Sequence, residues 1–130
     1  MIDSANYVSV VDYEYGDMNY REYDIANHFV EFVGIGDEET GFLDYEKYYP
    51  DQEYQVEWIK QYLGPNGGGD DSAARQLQKL VDKFSPLPNL LWGIWALIQS
   101  KNSNIDFDFL DYAKQRLDFY RKRSHLATEK

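Results

Sequence analysis

Asp12 stands at the end of a short β-branched run containing Val8, Val10 and Val11, and Glu14, Asn19, Asp24, His28 and Glu31 follow it at fixed offsets. A carboxylate delivered by the C-terminal end of a strand is a common way to hold a magnesium ion against nucleotide phosphates. Glu14 lies two residues beyond Asp12, on the same side of an extended segment, so both carboxylates can face one site. An aspartate that ends a strand can equally make a turn. Asp24 can cap a helix, or orient a neighbouring loop by accepting backbone N–H bonds. His28, near a helix surface, reads more readily as a hydrogen-bonded structural residue than as a general base.

The second chemistry-bearing group is Leu90-Leu91-Trp92-Gly93-Ile94-Trp95. Trp92 and Trp95 are three residues apart, so their indoles share one helical face. Together with Tyr112 they can cage an ammonium group, and a carboxylate such as Glu31 can add charge. Ordinary core packing is the alternative for two tryptophans on an apolar helix.

The elements that must position these residues follow from periodicity and turn chemistry. Tyr7 to Asp12 is expected as a strand, the second half of a hairpin whose first strand is not in this chain. Residues 1–20 then form that strand and the metal-ligand segment. Tyr23 to Val33 is expected as a helix ended by Gly34 and Gly36. An acidic, tyrosine-rich connection from Asp37 to Pro50 leads to a second helix, Asp51 to Leu63. There Tyr54, Trp58, Ile59, Tyr62 and Leu63 make one apolar stripe.

Residues 64–72, rich in glycine and ending in acids, read as a flexible linker. No Lys-Ser/Thr pair follows the glycines, so this is not a phosphate loop. Ser72 to Phe84 is expected as a third helix with Ser72 as its N-cap. Pro86 and Pro88 interrupt the chain, and Asn89 caps a fourth helix running to Lys101. Asp106 to Lys122 is a fifth helix, and residues 123–130 a solvated tail. The expected fold class is α+β and mainly helical.

The chain has 130 residues, enough for one domain that buries about 65–70% of its unfolded surface. Apolar residues make up 43% and aromatics 17%, which marks a globular chain rather than a disordered one. Twelve of the aromatics are tyrosine, a ring with a polar handle suited to half-buried helices and cation pockets. A formal net charge of −10 repels nucleic acid and anionic membranes and suits a cationic or metal-chelated ligand. Cysteine is absent, which excludes disulfides and thiolate metal sites. The apolar run Leu90 to Ile98 is far shorter than the ~20 residues of a membrane span. No signal peptide is visible, and a cytoplasmic location is expected.

As whole strings, two segments resemble the choline/ethanolamine kinase family. V-x-D-Y-E-Y-x-x-x-N-Y-R-x-Y-D-I-A-N-H-F-x-E-F, from Val10 to Phe32, is similar to the family's metal-ligand region. Trp92-Gly93-Ile94-Trp95-Ala96-Leu97-Ile98-Gln99, then Ile105 to Ala113 with Arg116, is similar to its C-terminal region. The resemblance implies a fold akin to protein kinases and aminoglycoside phosphotransferases. It implies transfer of the γ-phosphoryl of ATP, with Mg²⁺, to the hydroxyl of choline or ethanolamine, a step in phospholipid biosynthesis, and a possible homodimer of the full-length enzyme. Carried over by position, Asp12 is the Mg²⁺ ligand. Glu14, Tyr15, Glu31, Trp92, Trp95 and Tyr112 hold the substrate, and Asn19 and Asp24 shape the site.

Phe32 and Val33-Gly34-Ile35-Gly36, where choline kinases place Trp and then Tyr, lean the chain toward the ethanolamine branch. A primary ammonium is recognised by hydrogen-bond acceptors, whereas a trimethylammonium needs a fuller aromatic cage. Two departures stand out. Pro88-Asn89-Leu90-Leu91 replaces the family's Ser-His-Phe-Phe-type approach to the first tryptophan. The catalytic loop H-x-D-x-x-x-x-N, expected upstream of Asp12, has no counterpart: the histidines are His28 and His125, and neither begins it. No Gly-rich nucleotide loop can be placed either. The chain is therefore expected to be the C-terminal portion of a kinase catalytic lobe, inactive alone and poorly soluble. The alternatives are a choline kinase fragment and a non-catalytic ammonium-binding or regulatory module.

Overall fold

A computed structural model describes residues 9, 11–12, 14–67 and 71–128. Among the described residues the regular structure is helical and no strand is formed. The strand expected at Tyr7 to Asp12 falls largely outside the described residues. Val11 and Asp12, which are described, carry no regular structure. The mainly helical character that was expected holds among the described residues, and the β part of the expectation lies largely outside them.

Helix α1 spans Arg21–Glu31 and begins two residues earlier than the periodicity predicts. Its N-cap is Tyr20, so Asp24 is already inside the first turn and does not cap it; there its charge complements the helix dipole. The acidic connection after α1 is not wholly irregular. It contains a one-turn helix, α2 (Tyr45–Tyr48), opened by Asp44, whose carboxylate accepts from the Lys47 N–H at 3.0 Å. Four residues cannot sustain a helix by propensity. Tertiary contacts hold this one: the Tyr45 ring stacks on Phe119, and its hydroxyl donates to Asn89.

Helix α3 (Gln52–Gly67) starts as expected behind Asp51, which accepts from the Tyr54 N–H. Gly64, at φ 66°, breaks it. The expected linker is shorter than its composition suggests: helical turns resume after Gly64, and Asp71 and Ser72 already belong to α4 (Asp71–Phe84). Ser72 is thus not the cap. Asp71 pairs instead with Lys60 at 2.7 Å and with Arg75, joining α3 to α4 at the surface.

Helix α5 spans Pro86–Asn102. Pro86 and Pro88 do not interrupt it. They form its first turn, where a missing N–H costs nothing. Asn89 is consequently buried inside the helix rather than capping it. Helix α6 is Phe109–Arg123, capped by Asp108. The expected tail instead makes a 3₁₀ turn, Ser124–Thr128, packed on α4 and α6.

Two apolar clusters hold the helices. Ile25, Ala26 and Phe29 of α1 meet Val56 and Ile59 of α3 and Ala74, Leu77 and Val81 of α4. Ala96 of α5 meets Phe109 and Ala113 of α6. Helices α5 and α6 approach closely at Gly93, where a Cβ would lie 2.9 Å from the Leu117 side chain. That closeness sets the spacing between the tryptophans and Tyr112.

Candidate functional site

Trp92 and Trp95 meet edge to face, with ring centroids 5.8 Å apart. Each indole N–H has a polar partner from an element that sequence spacing could not pair with it. Trp92 donates to Asn27 of α1 at 2.8 Å, and Trp95 to the Tyr15 hydroxyl at 3.1 Å. Tyr15 also meets the Trp92 ring edge on, at 5.9 Å. From Trp95 the aromatic chain continues through Phe109 (5.8 Å) and Phe107 (4.9 Å) to Tyr112 (5.6 Å).

This arc of rings bounds a cavity of 360 Å³ lined by Glu31, Ile35, Trp92, Trp95, Asp106 and Tyr112, with Ile105, Phe107 and Phe109. Glu31 comes from the C-terminal turn of α1, Ile35 from the turns after it, the indoles from α5 and Tyr112 from α6. Asp106 sits in the connection between the last two. The walls are apolar rings and the charged groups are both carboxylates, a combination that accepts a small organic cation. Burial raises the Tyr112 hydroxyl above its ordinary pKa, against the opposing pull of Arg116, so the tyrosine stays neutral at physiological pH.

Four residues singled out by sequence, Glu31, Trp92, Trp95 and Tyr112, thus share one cavity, and Tyr15 hydrogen-bonds to its wall. Asp106 was missed as a site residue. Its membership of the Ile105 to Ala113 string is the one sequence signal; locally the chain bends there, so spacing does not point to it. Asn27 is a further residue of the site that spacing does not reveal, because its partner Trp92 lies 65 positions along the chain.

Asp12 and Glu14 are exposed, Asp12 in the left-handed region at φ 63° and Glu14 in a turn. Asn19 and Asp24 are exposed too, and Asn19 accepts from the Tyr20 N–H at the start of α1. Among the described residues no three His, Asp or Glu side chains converge as a metal cluster. His28 is exposed and lies against the Trp58 ring at 4.8 Å, in keeping with a structural role. No helix among the described residues is long and apolar enough to cross a membrane.

Comparison with known proteins agrees with the motif resemblance. The sequence matches the family described as choline/ethanolamine kinase over residues 1–121. It is 43% identical over 122 residues to mouse (Mus musculus) ethanolamine kinase 1, covering 88% of this chain and 32% of that protein. Mouse ethanolamine kinase 2 is 41% identical, with 88% of this chain and 29% of the relative covered. The Drosophila melanogaster ethanolamine kinase is 34% identical over 123 residues, with 92% and 23% covered. The chain therefore spans a third or less of the length of these curated relatives. An aromatic cavity built from the residues of both motif strings, and similarity running along nearly the whole chain, lead to one conclusion: this chain belongs to the choline/ethanolamine kinase family.

Proposed function

We propose that this chain is the C-terminal part of a kinase-like catalytic lobe, and that the kinase it belongs to phosphorylates ethanolamine with MgATP. One observation carries the proposal: Glu31, Trp92, Trp95 and Tyr112, far apart in sequence, line a single cavity with an acidic rim.

In this mechanism the ethanolammonium nitrogen enters the cavity with its charge against the indoles and its N–H groups toward the Glu31 and Asp106 carboxylates. Rings alone would suit a quaternary ammonium, but two acceptors favour a primary one. The substrate hydroxyl is left pointing outward, toward the side of Tyr15. Mg²⁺ is ordinarily held by one or two carboxylates together with phosphate oxygens and water. Exposed Asp12 and Glu14 fit such a part-site and would hold the ion there. When bound, the ion neutralises charge developing on the transferred phosphoryl group. The base that takes the hydroxyl proton is not in this sequence, which lacks the H-x-D-x-x-x-x-N loop.

The test is ethanolamine-dependent ADP formation by two polypeptides, the longer kinase containing this chain and the 130-residue chain alone. The longer protein is expected to turn over and the short one not. In the longer protein Trp95→Ala is expected to raise the ethanolamine KM about tenfold, since a desolvated cation–π contact is worth ~2 kcal/mol. An unchanged KM would remove the cavity from the mechanism, and turnover by the short chain would show that the base lies within it.

A further inference from the structure

Directly behind the cavity lies a charge that the mechanism above does not use. Arg116 of α6 is only 1% exposed, and no carboxylate lies within ion-pair distance of its guanidinium among the described residues. Among the same residues its Nε–H has no hydrogen-bond partner. A buried cation without a counter-ion is costly to fold around, so what it touches is informative.

Nη2 donates to the Gly34 carbonyl at 2.9 Å; Nη1 donates to the Tyr45 hydroxyl at 3.0 Å and to Asn89 Oδ1 at 3.3 Å. The guanidinium carbon lies 4.9 Å from the centroid of the Tyr112 ring. Three of these four contacts fall on or next to a cavity wall, and the fourth, Tyr45, itself holds Asn89. Gly34 precedes Ile35 and follows Glu31 by three residues. Asn89 lies three residues, about one turn, before Trp92 on α5. Tyr112 lies one turn before Arg116 on α6.

Resting on the ammonium-site reading, we propose that Arg116 is the positioning residue of that cavity: its planar guanidinium fixes the α1 exit, the start of α5 and the Tyr112 ring in one geometry. Lysine cannot substitute, because one ammonium cannot reach three acceptors in a plane and stack at once. A second consequence follows for Tyr112. Its ring already serves one cation, so it acts toward ligand mainly as a wall, and charge recognition falls to the indoles and the two carboxylates.

The tryptophans provide the test. The chain has three, and Trp58 packs in the other apolar cluster. Indole N–H resonances of ¹⁵N-labelled 130-residue chain are followed while ethanolammonium chloride is titrated in. In the unsubstituted chain Trp92 and Trp95 are expected to shift saturably and Trp58 to stay still. Arg116→Met and Arg116→Lys are each expected to weaken the apparent affinity about tenfold, because misplacing a preorganised contact by about an ångström commonly costs that much or more, with the Trp58 resonance unmoved. Equal affinity in wild type and Arg116→Met would overturn the positioning role and leave the site intact. Immobile Trp92 and Trp95 in the unsubstituted chain would overturn the site itself. If Arg116→Met loses the Trp58 resonance through unfolding, Tyr45→Phe, which deletes one acceptor, decides. It is expected to weaken binding about threefold, roughly half the free energy of the tenfold loss, and unchanged binding would sink the proposal.

Discussion

The indole N–H of Trp92 donates to the side-chain oxygen of Asn27 at 2.8 Å, pinning the helix that carries both tryptophans to the helix that carries Glu31. The two walls of the cavity are thereby set against each other by one hydrogen bond between residues 65 apart in sequence.

Asn27→Leu leaves the half-buried Trp92 N–H without its acceptor. The cost of orphaning such a donor is about 1–2 kcal/mol, so the urea midpoint should fall with the m-value unchanged. Asn27→Asp keeps an acceptor and should recover most of the loss. Equal midpoints for wild type and Asn27→Leu would mean that the bond contributes nothing to holding α1 against α5.

Much of this arrangement was legible in sequence, and the reasons for the exceptions are physical. Apolar periodicity located α1, α3, α4 and α6 because their buried faces, such as Leu77 and Val81, repeat at helical spacing. Composition misled where tertiary contacts overrode it. The Asp37 to Pro50 stretch reads as loop, yet Tyr45 is held helical by Phe119 and Asn89, residues far along the chain. Pro86 and Pro88 read as breakers because proline is equally suited to a first turn and to a stop. The cavity residues Glu31, Trp92, Trp95 and Tyr112 were recognisable as motif members. Asp106 shows in sequence only as a member of the Ile105 to Ala113 string, and the pairing of Asn27 with Trp92 appears only when α5 is laid against α1.

The two glycines after α1 should respond differently to substitution. Gly36 has φ 97°, and a Cβ there would lie 2.6 Å from the Gly41 carbonyl oxygen, a backbone atom that cannot step aside. Gly34, at φ 63°, faces open space. Gly36→Ala is expected to cost about 1–3 kcal/mol from strain alone, with more from the clash. Gly34→Asn should cost little, because asparagine tolerates the left-handed region. Chemical denaturation of both variants checks this, and a Gly36→Ala chain as stable as Gly34→Asn would refute it.

Alkaline pH should unfold the chain through two tyrosines. Burial pushes the Tyr45 hydroxyl up to about 12, with Arg116 opposing, and burial does the same to Tyr49, with Arg123 opposing. A pKa raised in the folded state stabilises fully below the unfolded value near 10 and is lost as pH climbs toward 12. Each unit of difference is worth ~1.4 kcal/mol, so the folding free energy should drop by a few kcal/mol across that window. Tyrosinate absorbance and helical circular dichroism are followed together through this window. The last two groups should ionise together with loss of helical circular dichroism. Ionisation of every tyrosine near pH 10 in a still-folded chain would contradict the burial of this pair.

The outer face of α5 makes the isolated chain prone to associate. Leu87, Leu91, Ile94 and Ile98, at spacings of four, three and four, form one stripe along the helix. The last three of these are 50%, 47% and 53% exposed. A soluble monomer seldom leaves a continuous apolar stripe uncovered. The chain spans a third or less of the length of relatives such as mouse ethanolamine kinase 1, so in a longer kinase there is ample chain to cover it. Sedimentation velocity on the 130-residue chain should therefore show concentration-dependent association. Ile94→Lys, which places a charge in the middle of the stripe, should shift the population toward monomer without lowering thermal stability. The same substitution in the longer kinase should be destabilising by about 2–4 kcal/mol, because there the lysine would be buried without a partner. These opposite responses separate a face that is covered in the complete enzyme from one that is merely apolar. If Ile94→Lys is neutral in both proteins, the stripe is ordinary surface and α5 needs no cover.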